Sequence, residues 1–379
     1  MLTAQQAENL NQIVSDVAKE FAPDKRVEVF NVTATPEAYT FTLKGETTLK
    51  SAKEALLQRL EESGILFKDS IIVLPTTEFE KKPHGVVTIS VANVRTKPEH
   101  SAEMATQALM GSPLKVYKAI KGWFLVQTPD NYIGWMDDDG FELMDDSAFK
   151  KWNQGEKIIL TVNSTLAYES GDSDSDIVTD LVMGNVLVRT GSAGEFVEAL
   201  LPDGRKCFVR SAEQKNFKEW ADNVNPSDIS PGEILSTAKL FMGVPYLWGG
   251  TSAKGLDCSG FTKTVFYMNG VVLPRDASQQ VHVGNFIDAG PDFENLLPGD
   301  LLFFGEKATD TTKERITHVA IYLGEKEFIH ASGRVKINSF SKEKSNFAPN
   351  RLRSFIRAKR LLPDANLPGI VPVKSIINM

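Results

Sequence analysis

Cys258 is one of two cysteines in a chain of 379 residues, and its neighbours suit chemistry better than packing. In the stretch YLWGGTSAKGLDCSGFTKTVF (246–266) it stands between Asp257 and Ser259. Phe261, Val265 and Phe266 follow at i+3, i+7 and i+8, one face of a helix that begins near the cysteine. At a helix start, unpaired backbone N–H groups and the positive end of the peptide dipoles favour a thiolate. A buried structural cysteine is the plain alternative, but a flanking acid and serine are unlike an apolar pocket. Gly249 and Gly250 let the preceding backbone turn closely.

A thiol nucleophile needs a proton acceptor, and there are five histidines, His84, His100, His282, His318 and His330. In THVAIYLG (317–324), strand alternation sets His318, Ala320 and Tyr322 against Thr317, Val319, Ile321 and Leu323. In EFIHAS (327–332), His330 lies on the opposite face from Ile329. A histidine within a core-type strand needs its nitrogens satisfied. Two on neighbouring strands fit a Cys–His–polar triad, with satisfied core histidines as the alternative. His84 and His100 lie in loop-like sequence near prolines and read as surface residues.

Two other chemistries fit less well. GTSAKGLD has the G-x4-G of a phosphate loop, but Leu256-Asp257 stands where Lys-Ser/Thr is required. Cys258, His318 and His330 could hold zinc, yet no Cys-x-x-Cys or His-Glu-x-x-His accompanies them. Neither metal nor cofactor is expected.

The elements that must position these residues belong to a chain too long for one ordinary core, so two to four domains are expected. Hydrophobic residues make up 42%, charged residues 24%, and the net charge is −7. That is a soluble globular composition without a polybasic nucleic-acid surface. No run reaches the roughly 18 apolar residues of a membrane span, and the amphipathic start MLTAQQAENLNQIVSDVAKEF lacks the regions of a signal peptide. The chain as written is therefore expected to be cytoplasmic, with the periplasm or cell envelope as the alternative if a leader was removed. Two cysteines make no disulfide framework.

Helical spacing covers residues 3–21 until Pro23. Strand-like RVEVFNVTA and AYTFTLKG, helical TLKSAKEALLQRLEESG and strand-like DSIIVLP follow, giving a small α+β unit over 1–80 without a catalytic motif, read as packing or spacer. From His84 the texture changes to short strands punctuated by Gly, Pro, Asn and Asp. Met110 and Pro129-Asp130 recur 73 residues later at Met183 and Pro202-Asp203. Two tandem barrels of one type are predicted, over 84–146 and 155–215. A last unit, 228–365, opens on a helix capped by Ser230-Pro231 and continues into strands, an α+β order.

The barrel pattern, with its VRTKP entry and closing Tyr-x-Gly-Trp, resembles the bacterial SH3-like domain. In the second copy Arg205 and Cys207-Phe208 replace Tyr132 and Gly134-Trp135, which puts a ligand role there in doubt. PYLWGG, LDCSGF, LPRDASQQ, LLPGDLLFF and HVAIYLG…FIHAS, in that order, resemble the NlpC-type papain-like cysteine peptidases of bacterial cell walls. The nearest subgroup is the γ-D-glutamyl-L-diamino acid endopeptidases. The resemblance implies a helix bearing the cysteine packed on an antiparallel sheet bearing the histidines. It makes Cys258 the nucleophile, His318 the general base and acid, His330 the polar third member and Tyr246 an oxyanion donor.

For substrate, the resemblance implies murein stem peptides, L-Ala-γ-D-Glu-diamino acid. Glu103, Tyr132 and Asp257 would recognise a free N-terminal L-Ala amine, and Ser259, Asp276 and Ala277 would line the site. Ala277 stands where serine is frequent, so its contact must come from backbone. Two carboxylates around one ammonium would exclude an acylated terminus. A wall-binding protein, or a general wall endopeptidase using the barrels to hold polymer, is the other reading. Nucleic acid and membrane are not expected partners, and the chain is expected to be monomeric.

Overall fold

The computed structural model describes residues 3–224, 230–361 and 371–376, so the expected limits of the last unit, 228 and 365, lie outside the described residues. Thr3 caps α1 (Ala4–Phe21): its hydroxyl accepts the Gln6 N–H while the Gln6 side chain takes the Thr3 N–H. Strands β1 (Phe30–Glu37) and β2 (Thr40–Thr47) are antiparallel. Helix α2 (Lys50–Glu62) then crosses over to β3 (Phe67–Val73), which runs parallel to β2. Leu10, Val17, Phe41, Leu43, Leu56 and Leu60 give this unit its own core. The first strand starts at Phe30 and not at Arg26. Residues 24–28 instead make a turn, in which the Asp24 carboxylate accepts the Arg26 N–H and its carbonyl accepts from Val27 and Glu28.

The first curled sheet contains β4 (His84–Val87), β5 (Val91–Arg95), β6 (Met104–Leu109), β7 (Pro113–Ile120), β8 (Trp123–Gln127), β9 (Ile133–Asp137) and β10 (Phe141–Met144). It is followed by α3 (Asp146–Gln154). The second contains β11 (Lys157–Leu160), β12 (Ser164–Tyr168), β13 (Ile177–Val182), β14 (Val186–Ala193), β15 (Phe196–Leu200), β16 (Lys206–Arg210) and β17 (Gln214–Asn216), followed by α4 (Phe217–Asn223). Their strand orders are β10-β4-β7-β8-β9-β5-β6 and β13-β12-β16-β15-β14-β11-β17. Shifting the first set by seven strands and reversing it yields the second, so the sequence repeat is a repeat of topology. Among the described residues no ladder joins the outermost strands of either SH3-like unit. Cys207 lies in the second core, fully buried.

Ser230 caps α5 (Pro231–Leu240) through a reciprocal pair with Glu233. The short strands β18 (Thr251–Ser252) and β19 (Gly255–Leu256) lead into α6 (Cys258–Met268), then β20 (Val271–Val272) and α7 (Ala277–Gln280). The sheet is built from β21 (Asn285–Ile287), β22 (Leu301–Glu306), β23 (Arg315–Gly324), β24 (Glu327–Ser332) and β25 (Arg334–Ser339). After α8 (Pro349–Ser354), β26 (Phe355–Arg360) joins it, in the order β21-β26-β22-β23-β24-β25. Period-two alternation gives the sheet two apolar faces. Phe303, Val319, Ile321, Ile329 and Ala331 pack with Phe261, Val265 and Phe266 of α6. Leu302, Phe304, Ala320, Tyr322 and Phe328 pack with Phe340 on the other side. The architecture is thus multidomain α+β with SH3-like sheets. Among the described residues no helix is long and apolar enough to cross a membrane.

Candidate active site

Asp257 is the N-cap of α6, its carboxylate accepting the Gly260 N–H at 2.7 Å. Two glycines make the approach possible. Gly249 has φ +79°, and a Cβ there would sit 2.4 Å from the Met104 carbonyl oxygen of the first curled sheet. A Cβ on Gly260 would meet the Gly250 carbonyl oxygen at 2.0 Å. Cys258 is the first residue of the helix, 7% exposed, and its own N–H is one of those a helix start leaves without an intrahelical partner.

The two histidines meet where two strands part. The β23–β24 ladder ends at Ile321–Ile329, and the Val319 N–H beyond that end favours the charged form of the Cys258 sulfur. His318 directly precedes Val319. Its Nε2 lies 2.7 Å from His330 Nδ1, and His330 Nε2 lies 2.9 Å from Asn338 Oδ1. The Asn338 amide is oriented by its Nδ2, which donates to the Asn346 carbonyl at 2.8 Å. Oδ1 must therefore accept, which places the proton of His330 on Nε2 and leaves its Nδ1 to accept from His318 Nε2–H. The unprotonated nitrogen of His318 is then Nδ1. One amide thus sets both tautomers.

Glu103, Tyr132, Tyr246, Asp257, Ser259, Asp276 and Ala277 line one cleft of about 480 Å³ with Cys258. Asp257 does more there than the sequence reading foresaw. Arg275, 1% exposed, clasps it through Nη1 to Oδ1 at 3.0 Å and Nη2 to Oδ2 at 2.5 Å. The Gly249 N–H also donates to Oδ2, at 2.9 Å. The charge of Asp257 is balanced before any ammonium arrives. Arg275 Nε meanwhile donates to Thr106 Oγ1 of the first curled sheet at 2.9 Å, which ties that sheet to the helix start. Glu103 Oε1 accepts from Trp248 Nε1 at 2.7 Å, and the Tyr132 hydroxyl donates to Asp276 Oδ2 at 3.2 Å. Arg275, Asn338 and Arg26, which also lines the cleft, were missed from sequence. Of these, only Arg275 stands inside a motif singled out there. His84 instead stacks on Phe149 and pairs with Asp146, and His100 lies exposed beside Trp123.

Burial dominates the proton affinities. It pushes the Cys258 thiol up to about 11, with the Asp257 charge adding to the rise and the Val319 N–H, Arg275 and the Ser259 N–H offsetting part of it. Burial also lowers His330 to about 3 and holds His318 well below its usual value, Arg351 adding to both effects. Desolvation and the acidic N-cap thus oppose the thiolate that the helix start favours. A thiol that starts neutral can still perform acyl transfer when a neutral imidazole takes its proton as general base. Cys207 is pushed higher, to about 12, also by burial.

A smaller cavity of about 100 Å³, lined by Trp152, Lys157, Met183 and Tyr267 among others, holds neither Cys258 nor a histidine.

The NlpC/P60 family matches residues 243–353, and the bacterial dipeptidyl-peptidase SH3 domain matches 94–141. The chain is 29% identical to the γ-D-glutamyl-L-lysine dipeptidyl-peptidase of Bacillus cereus, over 69% of this chain and 76% of that one. It is 27% identical to dipeptidyl-peptidase 6 of Lysinibacillus sphaericus, over 69% and 93%. With the murein DD-endopeptidase MepS/murein LD-carboxypeptidase of Escherichia coli it shares 31% identity, over 39% of this chain and 73% of that one. In fold it is similar to an NlpC/P60 family protein from Bacillus cereus, with a TM-score of 0.62, 24% identity, and coverage of 74% of this chain and 100% of that one. The region matched contains the cysteine helix and both histidine strands, and on this sequence and fold likeness the chain belongs to the NlpC/P60 family of cysteine peptidases.

Proposed function

We propose that the enzyme hydrolyses the amide joining the γ-carboxyl of D-Glu to an L-diamino acid in short murein stem peptides, and that it prefers a free N-terminal L-Ala. The observation that carries the chemistry is the Asn338–His330–His318 chain, which leaves a lone pair on His318 Nδ1, next in the chain to Val319, whose N–H favours the Cys258 thiolate. In this reading His318 takes the thiol proton as sulfur attacks the carbonyl carbon. The oxyanion is met by the Cys258 N–H and the Tyr246 hydroxyl, each worth on the order of 3 kcal/mol. His318 returns the proton to the leaving amine as the C–N bond breaks, and then activates the water that hydrolyses the thioester.

The substrate assignment is supported by the names of the Bacillus cereus and Lysinibacillus sphaericus relatives and by charge. In and around the cleft, four carboxylates (Asp24, Glu103, Asp257, Asp276) stand with three guanidiniums (Arg26, Arg275, Arg315). The surplus of one negative charge favours an ammonium. Because Arg275 already balances Asp257, Glu103 and Asp276 supply the charge that reads the amine. Ser259, which shares Arg275 with Asp257, and the backbone of Ala277 line the acyl side.

Incubation with L-Ala-γ-D-Glu-L-Lys and with L-Ala-γ-D-Glu-diaminopimelate, followed by mass spectrometry, tests the reading. L-Ala-γ-D-Glu plus free diamino acid is expected. No cleavage of either peptide would overturn it, and equal cleavage of insoluble wall material would indicate a general wall endopeptidase.

A further inference from the structure

We propose that the N-terminal α+β unit is a built part of the substrate site, with Arg26 as a positioning residue that closes the cleft beyond the substrate's free amine and so limits how far a peptide can extend past L-Ala. The inference rests on the peptidase reading above and adds a duty to a unit that its sequence describes only as packing or spacer. Arg26 lies in the 24–28 turn and lines the same cleft as Cys258 and Glu103. Its guanidinium is fully oriented. Nε and Nη2 hold the two oxygens of Asp24 at 2.8 and 2.7 Å, while Nη1 donates to Asp276 Oδ2 at 2.8 Å and to Ser278 Oγ at 2.9 Å.

The contact is reciprocal. Gln279 Nε2 donates to Asp24 Oδ2 at 2.8 Å, and Gln279 Oε1 accepts the Asp276 N–H at 3.1 Å. The Tyr132 hydroxyl meets the same Asp276 oxygen that Arg26 holds. Three units of the chain therefore converge on Asp276. Arg26 is fixed from behind as well, since its carbonyl accepts the Ile133 N–H at 2.7 Å and the Val27 carbonyl accepts from Gln127 Nε2 at 3.1 Å. Asp24 neutralises Arg26, so the pair acts as a rigid, net-neutral strut and Asp276 keeps its negative charge for the substrate. A bidentate arginine seated on a second domain fits a wall better than a swinging surface charge, because the fork fixes its plane.

The test compares L-Ala-γ-D-Glu-L-Lys with the same peptide extended by one N-terminal glycine, in full-length wild type, Arg26→Ala and Arg26→Lys. Wild type is expected to favour the unextended peptide by at least about 100-fold in kcat/KM. Arg26→Ala should reduce that ratio by about tenfold or more, chiefly through a higher KM for the short peptide and a lower KM for the extended one, with kcat within about threefold. Arg26→Lys, which keeps the charge but not the fork, should fall between. Thermal unfolding of each variant shows whether the fold is kept. An unchanged ratio in Arg26→Ala overturns the inference while leaving the peptidase reading intact. A uniform loss on both peptides, paralleled by a lower Tm and not relieved by lysine, makes Arg26 a packing residue and also overturns it. If wild type cleaves neither peptide, the peptidase reading fails first and this inference falls with it.

Discussion

His318 Nε2 and His330 Nδ1 stand 2.7 Å apart, and the direction of that bond is decided one residue further on, by Asn338. Replacing His318 with alanine removes the proton acceptor and should lower kcat by at least about 10³. His330→Asn should be milder, because an amide can still hold the ring. Asn338→Leu should act in the same direction as His330→Asn, since it frees both tautomers while leaving both rings in place. Steady-state kinetics on the three variants checks the order, and equal losses in all three would contradict it.

The same buried pair makes stability depend on pH. An unfolded histidine titrates near 6.5, whereas His330 in the fold titrates at about 3 and His318 is lowered in the same direction. Above about pH 6.5 both states are neutral and stability is complete. As pH falls from 6.5 toward 3 the unfolded chain takes up protons that the fold refuses. His330 alone then removes on the order of 4 kcal/mol. Urea unfolding at a series of pH values should show the decline, and it should be shallower in His330→Asn.

Cys258 should be the first thiol to react, although slowly at neutral pH. Its pKa of about 11 lies below the 12 of Cys207, and only Cys258 lines the cleft. Iodoacetamide labelling followed by peptide mapping should show Cys258 modified first, activity lost in step, and a rate that climbs steeply above pH 8. Full activity after complete Cys258 alkylation would refute its role as nucleophile.

Arg275 holds a buried charge beside the nucleophile. Arg275→Met strands the Asp257 carboxylate, which should cost about 3–5 kcal/mol of stability and raise the Cys258 pKa further. Asp257→Asn in the same chain should recover part of the loss, because no uncompensated charge remains. Denaturant midpoints of the single and double variants measure this, and additive losses would show that the two residues do not act as a pair.

Glu103 tests the amine reading directly. Acetylating the N-terminus of L-Ala-γ-D-Glu-L-Lys should cost wild type more than about 10² in kcat/KM. In Glu103→Gln the free-amine peptide should suffer strongly and the acetylated one little, so the ratio shrinks. A folding defect would lower both together, and equal wild-type rates on the two peptides would remove the amine from the mechanism.

Cys258, His318 and His330 could be read from the chain because each sits in a local pattern that neighbouring residues alone produce. Helical spacing of Phe261, Val265 and Phe266 puts the cysteine at a helix start, and period-two alternation separates the histidines from Val319 and Ile329. The repeat behind the two curled sheets was legible for the same reason, two copies of one periodicity. Arg26 was not. It bonds Asp276 across 250 positions, and local periodicity records which face a residue takes, never which distant residue will meet it. Asn338 meets His330 across the β24–β25 hairpin, but its hold on His318 passes through a bond between β23 and β24 that only the folded sheet supplies. The state of the thiol was open in the sequence too. A helix start argues for a thiolate, but the opposing desolvation depends on how much protein closes around the sulfur. Only the packing of α6 against the sheet, with Asp257 and Arg275 buried beside it, sets how strongly desolvation raises the thiol.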